Sequence, residues 1–238
     1  MKLLKLSLVA AVASIGLGGA AMAATPTFAV NAAVTSDYVF RGISQTHEYD
    51  PAVQGGLDAT MGTLYAGTWV SNVGFGNGTD AEVDLYGGVR PVVAGVSLDL
   101  GAIYYLYPGQ PGHSDPAYAD ENYIEFKGAA SKAVGPVTLG VAAYYSPDFT
   151  FTPGFSANAL YYEGNAAFTP VKNLSVSGAV GHQHIEAGTS YTTWNIGTTW
   201  AFAPHLSLDT RYWDTDKSTT FGPIAGPRVA FTLKATYP

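Results

Sequence analysis

The sequence predicts an all-β chain: a transmembrane antiparallel β-barrel of about twelve strands in an up-and-down meander. Three observations carry that reading. Charged residues are only 12% of the 238-residue chain, whereas aromatics reach 13% and there are 28 glycines; a soluble domain usually carries about twice that share of charge. After residue 23 no apolar run approaches the roughly 20 residues that a membrane helix needs. Hydrophobicity instead recurs at a spacing of two, segment after segment. In lipid, every backbone polar group must be satisfied within the protein, and closed barrels do this with strands.

The first 23 residues have the layout of a leader. Lys2 and Lys5 form a positive start, Leu6 to Ala20 an apolar run, and Ala21-Met22-Ala23 a small-residue cleavage site. This predicts a secretory signal peptide over residues 1–23 and a barrel over residues 24–238. Losing two lysines takes the formal charge from −7 to −9, with 18 acids against 11 − 2 = 9 bases. A basic surface for nucleic acid is excluded on that balance. There is no cysteine, so burial and backbone pairing must hold the secreted chain together.

The strands follow in order. Phe28, Val30, Ala32, Val34, Tyr38 and Phe40 share one face of the first, against Asn31, Thr35, Asp37 and Arg41. Val53, Leu57 and Ala59 oppose Gln54, Gly56 and Asp58; Leu64, Ala66, Thr68 and Val70 oppose Tyr65, Trp69 and Ser71. Ala81, Val83, Leu85 and Val89 oppose Glu82, Asp84, Tyr86 and Arg90, and Val96, Leu98, Leu100, Ala102 and Tyr104 oppose Ser97, Asp99 and Gly101. Later segments repeat the pattern around Ile124 and Phe126, Val137 to Ala143, Leu160 to Phe168, Leu174 to Val180, Trp194 to Trp200, Leu206 to Tyr212 and Val229 to Tyr237.

The connections alternate in length. Long polar links ("GISQTHEYD", "NVGFGNGTD", "YPGQPGHSDPAYADEN", "SPDFTFTPGFSAN", "QHIEAGTS", "DTDKSTTFGPIAG") take turns with tight ones ("TMGT", "RPVVAG", "KAVGP", "TPVKN", "FAPH"). That sorting is the sidedness of an outer-membrane barrel, with short periplasmic turns and longer outer loops. It predicts that both termini are periplasmic.

A wall of this size, with strands about 4.8 Å apart and tilted about 40°, closes at roughly 24 Å and leaves roughly 10 Å of lumen. The polar face must then line it. The expected pore-lining residues are Asp37, Arg41, Gln54, Asp58, Glu82, Asp84, Asp99, Glu125, Lys127, Glu163, Asp209, Arg211, Arg228 and Lys234, with Arg90 beside them. Charges at this density must be hydrated or paired, as an open channel or a salt-bridged plug. Within "SDYVFRGISQT", Asp37 and Arg41 read as two inward posts on the wall of strand one. They are roughly 13 Å apart and cannot pair directly; Gln54 or Arg228 are the expected partners across neighbouring strands. On the same reading, Tyr38 and Phe40 face lipid and Gly42 ends the strand.

Three stretches, "SDYVFRGISQT", "PAVQGGLDATMGTLYAGTWVSNVGF" and "AEVDLYGGVR", together resemble the TorF family of porin-type outer-membrane proteins of Gram-negative bacteria, over about Val34 to Arg90. The resemblance implies an outer-membrane β-barrel. Tyr237 stands one place short of the C-terminus, before Pro238, where an aromatic is expected as the signal to the barrel-assembly machinery.

Other motifs carry less chemistry. His182 and His184 in "GHQH" are spaced to share a strand face, but no third metal ligand is evident. "DTDKS" begins like a calcium loop at Asp214, Asp216 and Ser218, yet Thr219 replaces the turn glycine and no closing glutamate follows. Gly74 to Gly78 precede no helix and cradle no phosphate. No serine is placed with a histidine and an acid for hydrolysis. The expected protein is therefore not an enzyme and has no cofactor or metal. It is a passive outer-membrane channel for small hydrophilic solutes or ions, in contact with outer-membrane lipid; the excess of eight inward acids over six bases favours cations mildly. The alternative is a closed structural or surface-interaction barrel whose long loops carry the function.

Overall fold

The structure, a computed structural model of the chain, describes residues 24–47, 50–108, 121–152, 155–186 and 188–238. The expected leader, residues 1–23, lies outside the described residues, as do parts of four long links. Fifteen strands follow in chain order: β1 (Thr27–Thr35), β2 (Val39–Phe40), β3 (Ile43–Ser44), β4 (Ala52–Met61), β5 (Leu64–Asn72), β6 (Ala81–Val89), β7 (Val92–Val93), β8 (Val96–Leu106), β9 (Tyr123–Val134), β10 (Val137–Thr152), β11 (Phe155–Val171), β12 (Leu174–Ile185), β13 (Tyr191–Ala203), β14 (Leu206–Thr215) and β15 (Arg228–Tyr237). A short helix, α1 (Ser218–Phe221), and a 3-10 turn (Pro223–Ala225) lie between β14 and β15.

Twelve of the strands form one closed antiparallel barrel, and each is bonded to its neighbours along the chain. The ring closes where β1 pairs β15, with Val30 opposite Tyr237 and Thr35 opposite Thr232. Closure leaves no strand edge to be satisfied by lipid. The tight links lie at one end, where Met61 pairs Leu64, Val134 pairs Val137 and Val171 pairs Leu174. The start of β1 and the end of β15 lie at this same short-turn end. The long links gather at the opposite mouth.

The period of two explains the wall. Phe28, Val30, Val34, Val53, Leu57, Leu85, Phe126, Val141, Val180, Ile196, Trp200 and Phe231 all stand out from the barrel and are exposed in the isolated chain. A belt of this kind is what a barrel shows to lipid. Polar partners on the alternate positions meet one another inside.

Two elements differ from the reading of the sequence. The "SPDFTFTPGFSAN" stretch is mostly strand: β10 and β11 extend as a long hairpin past the neighbouring strands, with a register shift between Ser146 and Phe149. The larger correction concerns strand one, which ends at Thr35 rather than running on to Arg41. Ser36 donates its N–H to the Phe231 carbonyl and accepts from the Phe231 N–H on its Oγ, where strand-like pairing with the wall ends. From Asp37 the chain leaves the wall and folds as a separate two-stranded hairpin, β2–β3. The alternation through Val39 and Phe40 correctly signals strand, but alternation cannot say which sheet a strand joins.

Candidate functional site

The hairpin turns on Arg41 and Gly42, at φ 48° and 83°. Two consecutive positive φ values make the two-residue turn whose twist suits a hairpin. Glycine adopts this conformation freely; arginine holds it at a cost of about 1–2 kcal/mol. Gly42 is also sterically required, because a Cβ there would lie 2.3 Å from Thr193 Oγ1 on β13 and 2.6 Å from Thr215 Cγ2 on β14.

Arg41 is the centre of the site. Its Nη1 donates to Glu125 Oε1 at 2.8 Å and its Nη2 to Glu125 Oε2 at 2.7 Å, a two-pronged bond to β9. The same Nη1 donates to Gln183 Oε1 on β12 at 2.9 Å. Three aromatic rings surround the guanidinium, with Cζ 4.3 Å from the Tyr161 centroid, 4.6 Å from Phe40 and 5.0 Å from Tyr144. Tyr105 donates its hydroxyl to Glu125 Oε2 at 3.1 Å. Glu125 and Gln183 are each 1% exposed. A carboxylate is tolerated at such burial when its lone pairs are filled, and here three donors fill them.

A second anchor holds the root of the hairpin. Asp37 Oδ2 accepts from Arg228 Nη1 on β15 at 2.8 Å, while Oδ1 accepts from Ser44 Oγ at 2.6 Å and Thr46 Oγ1 at 3.1 Å. Arg228 also donates to the Gly226 and Pro223 carbonyls, which joins the last long link to the same cluster. On the far side, Tyr38 donates to Glu82 Oε1 on β6 at 2.8 Å and packs edge-on to Trp69 of β5. One short hairpin thus touches β5, β6, β9, β12 and β15, strands from all round the ring. It crosses the lumen.

Cavities lie on either side of this layer. Toward the long-link mouth, a cup of about 460 Å³ is walled by Phe40, Phe75, Tyr107, Tyr123, Phe149 and Tyr191. Tyr123 of that wall stacks on Tyr105 at 4.4 Å. Toward the short-turn end, a second space of about 340 Å³ is lined by Glu163, Asn165, Ser177, Asn195, Asp209 and Arg211. On β12 the order reads Ser177 in the lower space, Gln183 in the hairpin layer and Ile185 in the upper cup.

Except for Gln54, which lies near the long-link end of β4, the remaining expected residues occupy the middle and the short-turn half. Asp99 accepts from Tyr65 and Lys127, each at 2.7 Å, and from Arg90 at 3.3 Å. Asp58 accepts from Tyr86, Glu163 from Tyr161 and Asn165, and Asp209 from Arg211 and Thr199. Arg211 reaches on to Asn195 and Ser177. Gln54 lies within 3.4 Å of Ser71 Oγ, and Asp84 has its Oδ1 buried without a partner. Lys234 is partly buried on β15, opposite Ala33.

The structure brings Arg41, Glu125, Asp37, Arg228 and Glu82 together around the hairpin. Asp37 and Arg41 are not posts in the wall, and Tyr38 and Phe40 face the interior rather than lipid. Arg228 is the partner of Asp37, one of the two expected; Arg41 reaches farther, to β9 and β12. Gln183 was not singled out by the sequence, although its neighbours were. His182 and His184 point outward and bond Thr192 and Ser190, leaving the residue between them to face the lumen. Asp214 and Asp216 accept from Tyr212 and the Thr192 N–H. Among the described residues no three acid, histidine or cysteine side chains gather as a metal would need.

A closed meander of this shape, apolar outside and polar within, is the fold of outer-membrane porins. It superposes on the NanC porin with a TM-score of 0.56 at 9% identity over 89% of this chain and 100% of that one. The KdgM porin gives 0.56 at 9% identity, over 88% and 98%. An outer membrane channel of Pseudomonas putida F1, COG4313, gives 0.53 at 11% identity, over 93% and 99%. By sequence, residues 20–237 match the family described as "Bacterial protein of unknown function (Gcw_chp)", and the chain belongs to that family. No curated protein matches the sequence.

Proposed function

We propose that this protein is a porin-type channel of the outer membrane, passing small hydrophilic solutes or ions, with its conduction path closed by the β2–β3 hairpin. The observation that carries this reading is the hairpin itself, a short, separately folded element held across an otherwise polar lumen. The partners of that reading are outer-membrane lipid around the belt and the barrel-assembly machinery during insertion, with both termini periplasmic. The TorF-like stretch from Val34 to Arg90 includes the hairpin and supports the porin reading, as does the likeness of the fold to porins. The protein performs no catalysis on this reading.

The burial of the central layer also favours a second reading, a permanently closed barrel acting through its long loops. Planar-bilayer recording separates the two. The intact protein is expected to be silent or to open rarely, and a variant lacking Tyr38–Gln45 to conduct in steps. A folded hairpin-deleted barrel that never conducts would sink the channel reading and leave the closed barrel.

A further inference from the structure

We propose that the pocket formed by Glu125, Gln183, Tyr144 and Tyr161 is a guanidinium-binding site which Arg41 fills in the closed barrel, and that the permeant is an organic cation bearing a guanidinium group. The identity of the permeant rests on the channel reading above; the site does not.

The chemistry is specific. A guanidinium is planar and offers parallel N–H bonds, and Glu125 takes two of them at 2.8 and 2.7 Å. Gln183 Oε1 takes a third at 2.9 Å. Tyr161 and Tyr144 lie 4.3 and 5.0 Å from Cζ, within the range at which a ring face attracts a cation. A metal ion or an ammonium would engage one point of this fork and lose the rest. The site is also built in the wall: Glu125, Gln183, Tyr144 and Tyr161 belong to β9, β12, β10 and β11, whereas the group they hold arrives on a separate hairpin. Gln183 adds a spare donor, because its Nε2 is buried with no partner. A ligand with an acceptor beside its guanidinium would satisfy it.

Opening then has a defined consequence. When the hairpin withdraws, water replaces Arg41, while Glu125, Gln183, Tyr144 and Tyr161 stay on their wall strands with the guanidinium place between them vacated. A soluble guanidinium that enters regains those contacts and holds the barrel open, since it binds the open state and has no room in the closed one. The aromatic cup at the long-link mouth leads to this point, and Phe40 belongs both to its wall and to the Arg41 cage.

The test is calorimetric titration of methylguanidinium chloride into detergent-folded wild type, Arg41→Ala and the Arg41→Ala/Glu125→Gln double variant, with sodium chloride at equal ionic strength as reference. Folding is checked by the heat-modifiable gel mobility of a barrel. Arg41→Ala is expected to bind methylguanidinium at least about tenfold more tightly than wild type, and the double variant to lose about tenfold again. Equal binding by all three overturns the site. Should Arg41→Ala fail to fold, the wild type decides in planar bilayers: methylguanidinium at the long-link mouth is expected to raise open probability about fivefold over sodium, and equal responses overturn the proposal. Selective binding with no conductance in any variant removes the channel reading and leaves the site; conductance without selective binding does the reverse.

Discussion

The two halves of the lumen are made from the same kind of strand face and end in opposite states. In the long-link half, the Arg41–Glu125 pair has side chains 6% and 1% exposed, and Arg228–Asp37 has 1% and 0%. In the other half, Lys127–Asp99 stands at 20% and 19%, and Arg90 at 43%. Inward polarity alone therefore does not decide whether a barrel interior is dry. What differs is the hairpin, whose aromatic and charged groups displace water from one half and do not reach the other. Cation–carboxylate pairs become structural in the first place and solvated in the second.

The largest effect should come from removing that difference. Deleting Tyr38–Gln45 is expected to hydrate the upper half and raise time-averaged bilayer current by at least about tenfold, since one closed state is then lost. Next in size, Glu125→Gln leaves Arg41 buried with a neutral partner, and should cost about 3–5 kcal/mol. The matching change Asp99→Asn, in the wet half, should cost under about 1 kcal/mol. Urea unfolding of the two variants side by side measures the contrast; equal losses would mean that the halves are electrostatically alike.

Gly42→Ala comes third. The added Cβ meets Thr193 and Thr215, and the backbone sits at φ 83°, so the tip must shift, at a cost of about 1–3 kcal/mol beyond the backbone term. Gly95→Ala is its control, with a similar φ of 77° and nothing within 4 Å, and should cost the backbone term alone, about 1–2 kcal/mol. Trypsin sensitivity at Arg41 should rise in the first variant alone. The smallest effect belongs to Lys127→Ala. It removes one partly solvated cation near Asp99, and should shift the reversal potential of the hairpin-deleted channel slightly toward cations. That shift should fade as salt is raised above about 0.1 M, where screening falls within about 10 Å.

Much of this was legible in advance. Apart from Tyr38 and Phe40, the outward positions from Phe28 to Tyr237 and the alternation of long and tight links follow from a period of two and from turn composition, both local properties. The partners around the hairpin were not legible. Nothing between Asp37 and Arg41 distinguishes a continuing wall strand from one that turns inward, since Tyr38 and Phe40 keep the spacing of two in either case. Gln183 was hidden for a related reason: it sits between two histidines that draw the eye, and only its inward parity marks it.

The sequence by itself determined the barrel, its strand number and the apolar outward face, because each strand pairs with its neighbour in the chain and needs only local patterning to do so. Tertiary structure alone decided that "SDYVFRGISQT" crosses the lumen. Arg41 finds Glu125, 84 residues away, and Gln183, 142 residues away, and Asp37 finds Arg228 at a separation of 191. Those meetings exist only once the ring has closed and brought β9, β12 and β15 around one axis.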